Sequence, residues 1–295
     1  MSTPSLVTER DLAGALEILA RASDTPPVLA TLTDEELLGL AGRDGVGLVG
    51  SPYLDSSDLP PEAMATIAVR SLVARGLAVI GPTQREPEGR TLGEALDDVP
   101  GGGGDGSGTA GRDGAPDTSE RAVQLDRTLA GLLTLRETPV ALMNLTWKVS
   151  EQTTSLTVYV FPEGGLLEEL VTADGFHHFS VPTRAAAPAR WARYVDQSGA
   201  AGDEDRAAYV GPLERLDDPG SGISDRLADT RALTVLSTAG DAGGDSLQVT
   251  LMATSDAVFA MDTPESTEGD TEIRELSAQS LIRLIDAAIP EVSAT

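Results

Sequence analysis

The sequence predicts an α+β fold in which antiparallel sheet units, internally duplicated and quasi-twofold, are flanked by helices. Three observations carry that expectation. Past Pro139, short runs rich in Val, Leu, Thr and aromatic residues alternate with Gly-Gly and Asp-Gly turn signals. Each set of runs closes on a stretch with helical periodicity. The order of strands and then helix occurs twice, as in a duplicated unit.

From the amino terminus, Thr8-x-x-Asp11 is a helix start signal, and Leu12, Leu16 and Leu19 share one face of the helix it opens. Pro26 and Pro27 end that helix. Thr33 then caps a second one, whose first turn, Asp34-Glu35-Glu36, suits the positive end of the helix dipole and whose Leu37, Leu38 and Leu40 face inward. After a loop from Gly42 to Ser51, Asp58 with Pro60 and Pro61 opens a longer helix that buries Met64, Ile67, Ala68 and Leu72 and stops at Arg75-Gly76. Leu77 to Ile80 reads as a short strand. From Pro100 to Asp117 almost no apolar residue is present to offset the entropy of ordering, so a flexible tether is expected there. Arg121 to Leu135 returns to helical periodicity through Val123, Leu125, Leu129, Leu132 and Leu133, until Pro139 closes it.

Strand candidates follow at Val140–Val149, Ser155–Phe161, Leu166–Val171 and Phe176–Val181, an antiparallel meander. Ala185–Asp196, with Trp191 and Val195 apolar, supplies a helix to cover one face. The second set comprises Ala232–Ser237, Ser246–Ala253, Ala257–Met261 and Glu272–Leu276, and it ends in Ser277–Ile289 with Leu281, Ile282, Leu284, Ile285 and Ile289 as the apolar face. The chain thus divides into an N-terminal helical segment at 1–98, a Gly-rich insertion at 99–118, and a duplicated region at 119–295 that forms one compact domain with 1–98.

Composition narrows the function. At 295 residues, 40% hydrophobic and 23% charged, the chain can bury a core without staples. Aromatics are only 3%, so that core rests on Leu, Val, Ile and Ala. The absence of cysteine removes disulfides, thiolate-held metals and thiol nucleophiles together. Met1 to Thr8 lacks the basic and apolar regions of a signal peptide, and no stretch approaches the ~20 apolar residues of a membrane span, so a cytoplasmic location without membrane insertion is expected. A net charge of -26 repels phosphate backbones, which argues against nucleic acid as a partner.

Chemistry-bearing patterns are weak. His177 and His178 are adjacent in a strand and point to opposite faces, which suits polar tips at a sheet edge better than a shared metal. Glu168 and Glu169 diverge for the same reason. Neither Gly101–Gly104 nor Val46-Gly47-Leu48-Val49-Gly50 has the context of a phosphate loop. The acidic clusters at Asp203-Glu204-Asp205, Asp217-Asp218 and Glu265–Asp270 lack the spacing of a calcium loop. The expectation is therefore a non-enzyme with no catalytic residue, cofactor or metal. What remains are interaction devices, with Trp147, Lys148, Tyr159, Phe161, Leu166 and Leu167 forming the richest apolar hairpin.

The sequence resembles the EspG-type chaperones of type VII (ESX) secretion. The resemblance lies in Leu32 to Leu37, a Leu-Thr-x-Glu-Glu-like helix start, in Leu72-Val73-Ala74-Arg75-Gly76-Leu77, and in the apolar stretch Leu125 to Leu135. Two strand-rich units follow, the second closed by Leu281 to Ile289. The resemblance implies a cytosolic chaperone that grips the helical tip of a small secreted PE/PPE-type or WXG-type protein and keeps it soluble. In that family a strand-connecting loop and the central sheet make much of the contact, which here implies the segment Phe161 to Gly175, with Phe161, Leu166, Leu167 and Val171 as partner-binding residues. The Gly-rich insertion and the acidity depart from the family pattern. The alternative reading is a non-catalytic transcriptional regulator with a winged-helix-like segment at Asp58 to Ile80, although Arg70 and Arg75 are its only basic residues.

Overall fold

A computed structural model describes residues 8–47, 51–55, 58–82, 121–216, 218, 221–240, 247–262 and 270–292. The first part of the chain runs α1 (Glu9–Leu19), β1 (Ala30–Thr33), α2 (Asp34–Gly47), α3 (Pro52–Asp55), α4 (Pro61–Ala74), β2 (Ala78–Pro82), β3 (Arg121–Leu125) and α5 (Arg127–Glu137). Then come the strands β4 (Ala141–Val149), β5 (Gln152–Val160), β6 (Leu166–Val171) and β7 (Phe176–Ser180), followed by α6 (Ala187–Val195). The last part is β8 (Arg206–Pro212), α7 (Ser224–Leu227), β9 (Ala232–Gly240), β10 (Gln248–Ala253), β11 (Val258–Asp262), β12 (Asp270–Glu275) and α8 (Ala278–Ala288). The tether expected at 99–118, the acidic run 265–269, Asp217 and residues 48–50 lie outside the described residues.

Both meanders form as the turn signals require, and they join into one ten-stranded sheet of order β1-β7-β6-β5-β4-β9-β10-β11-β12-β8. β4 and β9 meet antiparallel at its middle, from Ala141 opposite Gly240 to Lys148 opposite Leu233. The order outward from that seam is the same on both sides: a four-stranded meander, then an edge strand that precedes it in sequence. In each unit a residue ahead of the edge strand also bridges one just past the meander, Ser23 to Pro182 and Gly202 to Ser277. A pseudo-twofold axis normal to the sheet relates the units and maps each face of the sheet onto itself.

The two faces differ accordingly. On one, here the helix face, α6 and α8 pack together over Met143, Leu145, Leu156, Val158, Leu236 and Leu251, and Trp191 and Ile285 are fully buried there. Each large apolar side chain so buried contributes about 1.5 to 3 kcal/mol. On the other, the insert face, the chain between each edge strand and its meander packs over the outer strands. In the first unit the insert brings Leu37, Met64, Leu72, Leu129 and Leu132 against Tyr159, Leu167 and Phe179. In the second, Ile223 and Leu227 lie with Met252, Phe259 and Ile273.

Several sequence expectations are corrected. β1 and β8, the two edge strands, were not foreseen; β1 is four residues long and too short to show alternation. Arg121–Leu125 is a strand paired with β2, and the helix begins only after Asp126, whose Oδ1 accepts from the Thr128 amide at 2.9 Å. α1 has the expected capping box, but it buries Gly14, Ala15 and Ile18 and leaves Leu12 and Leu16 exposed. The cause is the crossing with α5: a Cβ on Gly131 would lie 2.5 Å from the Gly14 carbonyl carbon, so the helices meet through their small residues and the leucines flank the seam. Ile67 is likewise exposed on α4, whose buried stripe is Met64, Ala68 and Leu72. Gly76, at φ 72°, ends that helix as expected.

Candidate interaction face

Strand register assigns each middle-strand residue to a face, because directly opposed residues point the same way. Along β4, Ala141, Met143, Leu145 and Trp147 are buried on the helix face, where Trp147 stacks on Tyr194 of α6 at 5.4 Å between ring centroids. The alternate residues Leu142, Asn144, Thr146 and Lys148 emerge on the insert face and are only half-buried or exposed. Their partners on β9 are Ala239, Ser237, Val235 and Leu233. On β5 they face Tyr159, Thr157, Ser155 and Thr153. Gln248 and Thr250 of β10 continue the surface from Ser237 and Val235, while Met252, opposite Leu233, is already buried under the second insert. Among the described residues, none of the two inserts' elements covers the middle of this face, on the pseudo-twofold axis. Leu233 is 41% exposed, whereas Leu236, three residues on and on the helix face, is 0% exposed.

The open area is chemically distinct from the rest of the chain. It holds aliphatic, hydroxyl and amide side chains, with Asn144 donating from Nδ2 to Thr157 Oγ1 at 3.1 Å and Thr146 donating to Asn144 Oδ1 at 2.8 Å. None of its residues is acidic, although 47 of 295 residues in the chain are Asp or Glu. Its single charge is Lys148.

Two buried polar clusters are built on β6, one on each face of the sheet. Glu169 and Glu168 do diverge to opposite faces, as their adjacency requires. Glu169 takes a hydrogen bond from Tyr159 and another from Arg136 Nε at 2.8 Å, and its Oε1 lies 2.6 Å from His177 Nδ1. His177 Nε2 lies 2.6 Å from Asp34 Oδ1. With a carboxylate oxygen at each nitrogen, the ring donates from both as imidazolium. The cluster of two carboxylates, one imidazolium and one guanidinium is then neutral. Burial opposes the charge on His177, but the bonds to Asp34 and Glu169 outweigh it and raise its pKa above the ordinary 6.5. Burial alone would raise the pKa of Glu169, yet the bond from His177 and the charge of Arg136 bring it below 4.5.

The expectation that both histidines are tips at a sheet edge is overturned for His177, which is 0% exposed, because β1 covers the flank of β7 and carries Asp34 at its end. His178, on the opposite face, pairs with Thr31 Oγ1 at 3.0 Å. On the helix face Glu168 accepts from Ser180, from Trp191 Nε1 and from Arg190 Nε at 3.0 Å. These clusters tie the first insert and α6 to the sheet; within them Asp34 Oδ2 and Arg136 Nη2 are buried without a hydrogen-bond partner among the described residues. Among the described residues no group of three or more His, Cys, Asp or Glu is placed to hold a metal ion, and no helix is long and apolar enough to cross a membrane.

Phe161, Leu166, Leu167 and Val171 all lie in the core, between 0% and 5% exposed. Leu166 packs under α6 and α8; Phe161 and Leu167 pack under the first insert. The exposed parts of the segment Phe161 to Gly175 are instead Pro162, Glu163 and Gly164 at one turn and Asp174 at the other, with Glu163 at φ 59°. Arg75, one of two cations in the winged-helix reading, is taken up by Glu36 and by the Thr31 carbonyl at 2.8 Å. The open residues on β9 and β10 were missed by sequence reasoning. Their signal was present as polar and apolar alternation within strands otherwise read as core.

No family model matches the sequence, and no curated protein matches it. Among solved structures, the chain is similar to the Mycobacterium tuberculosis type VII secretion system chaperone EspG5, in a structure of its complex with the PE25–PPE41 dimer. The sequences are 10% identical, the match covers 58% of this chain and 81% of that one, and the TM-score is 0.42.

Proposed function

We propose that this chain is a cytosolic, non-catalytic chaperone of a type VII (ESX)-like secretion system, binding the helical tip of a small secreted PE/PPE-type or WXG-type protein and keeping it soluble. The observation that carries the reading is the open middle of the insert face: a sheet packed on its other side offers half-exposed Val235 and exposed Leu233 beside hydroxyls and amides. Apolar groups interleaved with hydrogen-bonding ones suit a protein surface that must leave again. The inserts pack over the outer strands on either side, and a helical tip laid between them would meet the sheet. The element order that resembles EspG-type chaperones supports the same reading, with the turn at Pro162–Gly164 as a further contact.

Co-expression tests it. Tagged chain produced with PE/PPE-type heterodimers or WXG-type pairs from the source genome is expected to yield a stable complex by size-exclusion chromatography with light scattering. Retention of none of them, with folded protein on both sides, would contradict the proposal.

A further inference from the structure

Lys148 is the sole lysine of the chain; the other twenty basic residues among the 21 Lys and Arg are all arginine. It stands at the end of β4 on the open insert face, opposite Leu233 and Thr153. Its carboxylate neighbour among the described residues is Glu151 at 3.9 Å, and with the two side chains 55% and 97% exposed the pair is loose and well solvated. The amine is therefore free to take another partner.

The surface around it lacks acids for a reason that strand propensity does not supply. β12 of the same sheet alternates exposed Asp270, Glu272 and Arg274 with buried residues, so the sheet accommodates acids where they meet water. On the helix face, acids are missing from the middle strands because those residues are buried. On the insert face Asn144, Thr146, Val235, Ser237 and Thr250 are half-exposed, and none of them is an acid. In a chain of net charge -26, a neutral window with one cation is where an incoming carboxylate meets least repulsion. Basic flanks on the same partner would be drawn to the acidic surroundings.

Resting on the docking role proposed for the insert face, we propose that Lys148 selects the partner by pairing with a carboxylate at the tip of a helical segment of a second protein, seated against Leu233 and Thr146. An ammonium that meets its counter-ion over an apolar surface is desolvated on binding, so the pair sets specificity as well as approach rate.

The probe is a PE/PPE-type or WXG-type pair retained in the co-expression experiment, titrated by calorimetry against wild type, Lys148→Arg and Lys148→Glu. The charge-preserving variant is expected to stay within about twofold, while Lys148→Glu weakens binding about tenfold or more. Replacing the partner's tip carboxylate by lysine should restore affinity to Lys148→Glu alone, a rescue that a merely structural role would not produce. Zero-length carbodiimide coupling, read by mass spectrometry, should join Lys148 to that same carboxylate. Affinity that is the same for Lys148→Glu and wild type, or a coupling product that excludes Lys148, overturns this inference and leaves the docking role standing. If no pair is retained at all, the docking role fails and this inference fails with it.

Discussion

The two faces of β4 and β9 are made from the same backbone and differ in everything that covers them. On the helix face Leu145 and Leu236 are sealed under α6 and α8; on the insert face Thr146 and Val235, their immediate neighbours, stay half-exposed. The duplication explains why. The axis between β4 and β9 places the closing helix of each unit over the centre of one face, while each insert covers its own outer strands. The centre of the other face is thereby left to neither.

The largest test of this contrast is a pair of charge insertions. Leu145→Asp, which buries a carboxylate among Met143, Leu156 and Leu236, is expected to cost more than about 4 kcal/mol and to leave little folded protein. Val235→Asp on the opposite face should cost about 1 kcal/mol or less in urea unfolding. Equal losses would remove the distinction between the faces.

Next in size is the ionic cluster that holds the first insert to the sheet. His177→Gln leaves Asp34 and Glu169 facing each other without the intervening charge, and is expected to destabilise by about 3 to 5 kcal/mol. The pH dependence has two limbs. The folded pKa of His177 is raised, so its contribution is whole below the ordinary 6.5 and is lost as pH rises through the raised value. That of Glu169 is lowered, so its contribution is whole above 4.5 and is lost as pH falls through the lowered value. Urea midpoints across pH should fall on both sides of a plateau, and His177→Gln should flatten the alkaline limb; a variant that keeps the limb would place its origin elsewhere.

A smaller effect is expected at the α1–α5 crossing, where Gly131→Ala sets a methyl within 2.7 Å of the Ala15 amide nitrogen. Overpacking of this kind costs about 1 to 3 kcal/mol, measurable as a lowered thermal midpoint. Lys148→Glu, exposed on the open face, should change stability by less than about 0.5 kcal/mol, so any loss of partner binding there is a loss of contact.

Elements with strong local signals were legible in the sequence. The eight meander strands and the closing helices could be placed because turn chemistry and apolar alternation agree in each, from Gly164-Gly165 ahead of Leu166 to Ser277 ahead of α8. Edge strands were not: the four residues Ala30–Thr33 carry no period, and the seven of β8 show no regular alternation of burial. The buried face of α1 was misread for a different reason: close approach through Gly14 and Gly131 is a property of two helices together, and leucine spacing on one of them points elsewhere. His177 escaped because its partners, Asp34 and Glu169, lie 143 and 8 residues away in the chain and meet only through the pairing of β1 with β7. The open face was hidden in plain alternation, where half of each strand belongs to the core and the other half to a surface that only the topology leaves bare.

The most direct measurement is binding of a retained PE/PPE-type or WXG-type partner to a doubly charged variant of the open face, Val235→Asp with Thr250→Asp, whose urea midpoint is measured beside the wild type. Affinity lost by about a hundredfold or more, with stability within about 2 kcal/mol of wild type, is the expected result. A folded variant that binds its partner as tightly as the wild type would contradict the assignment of this face.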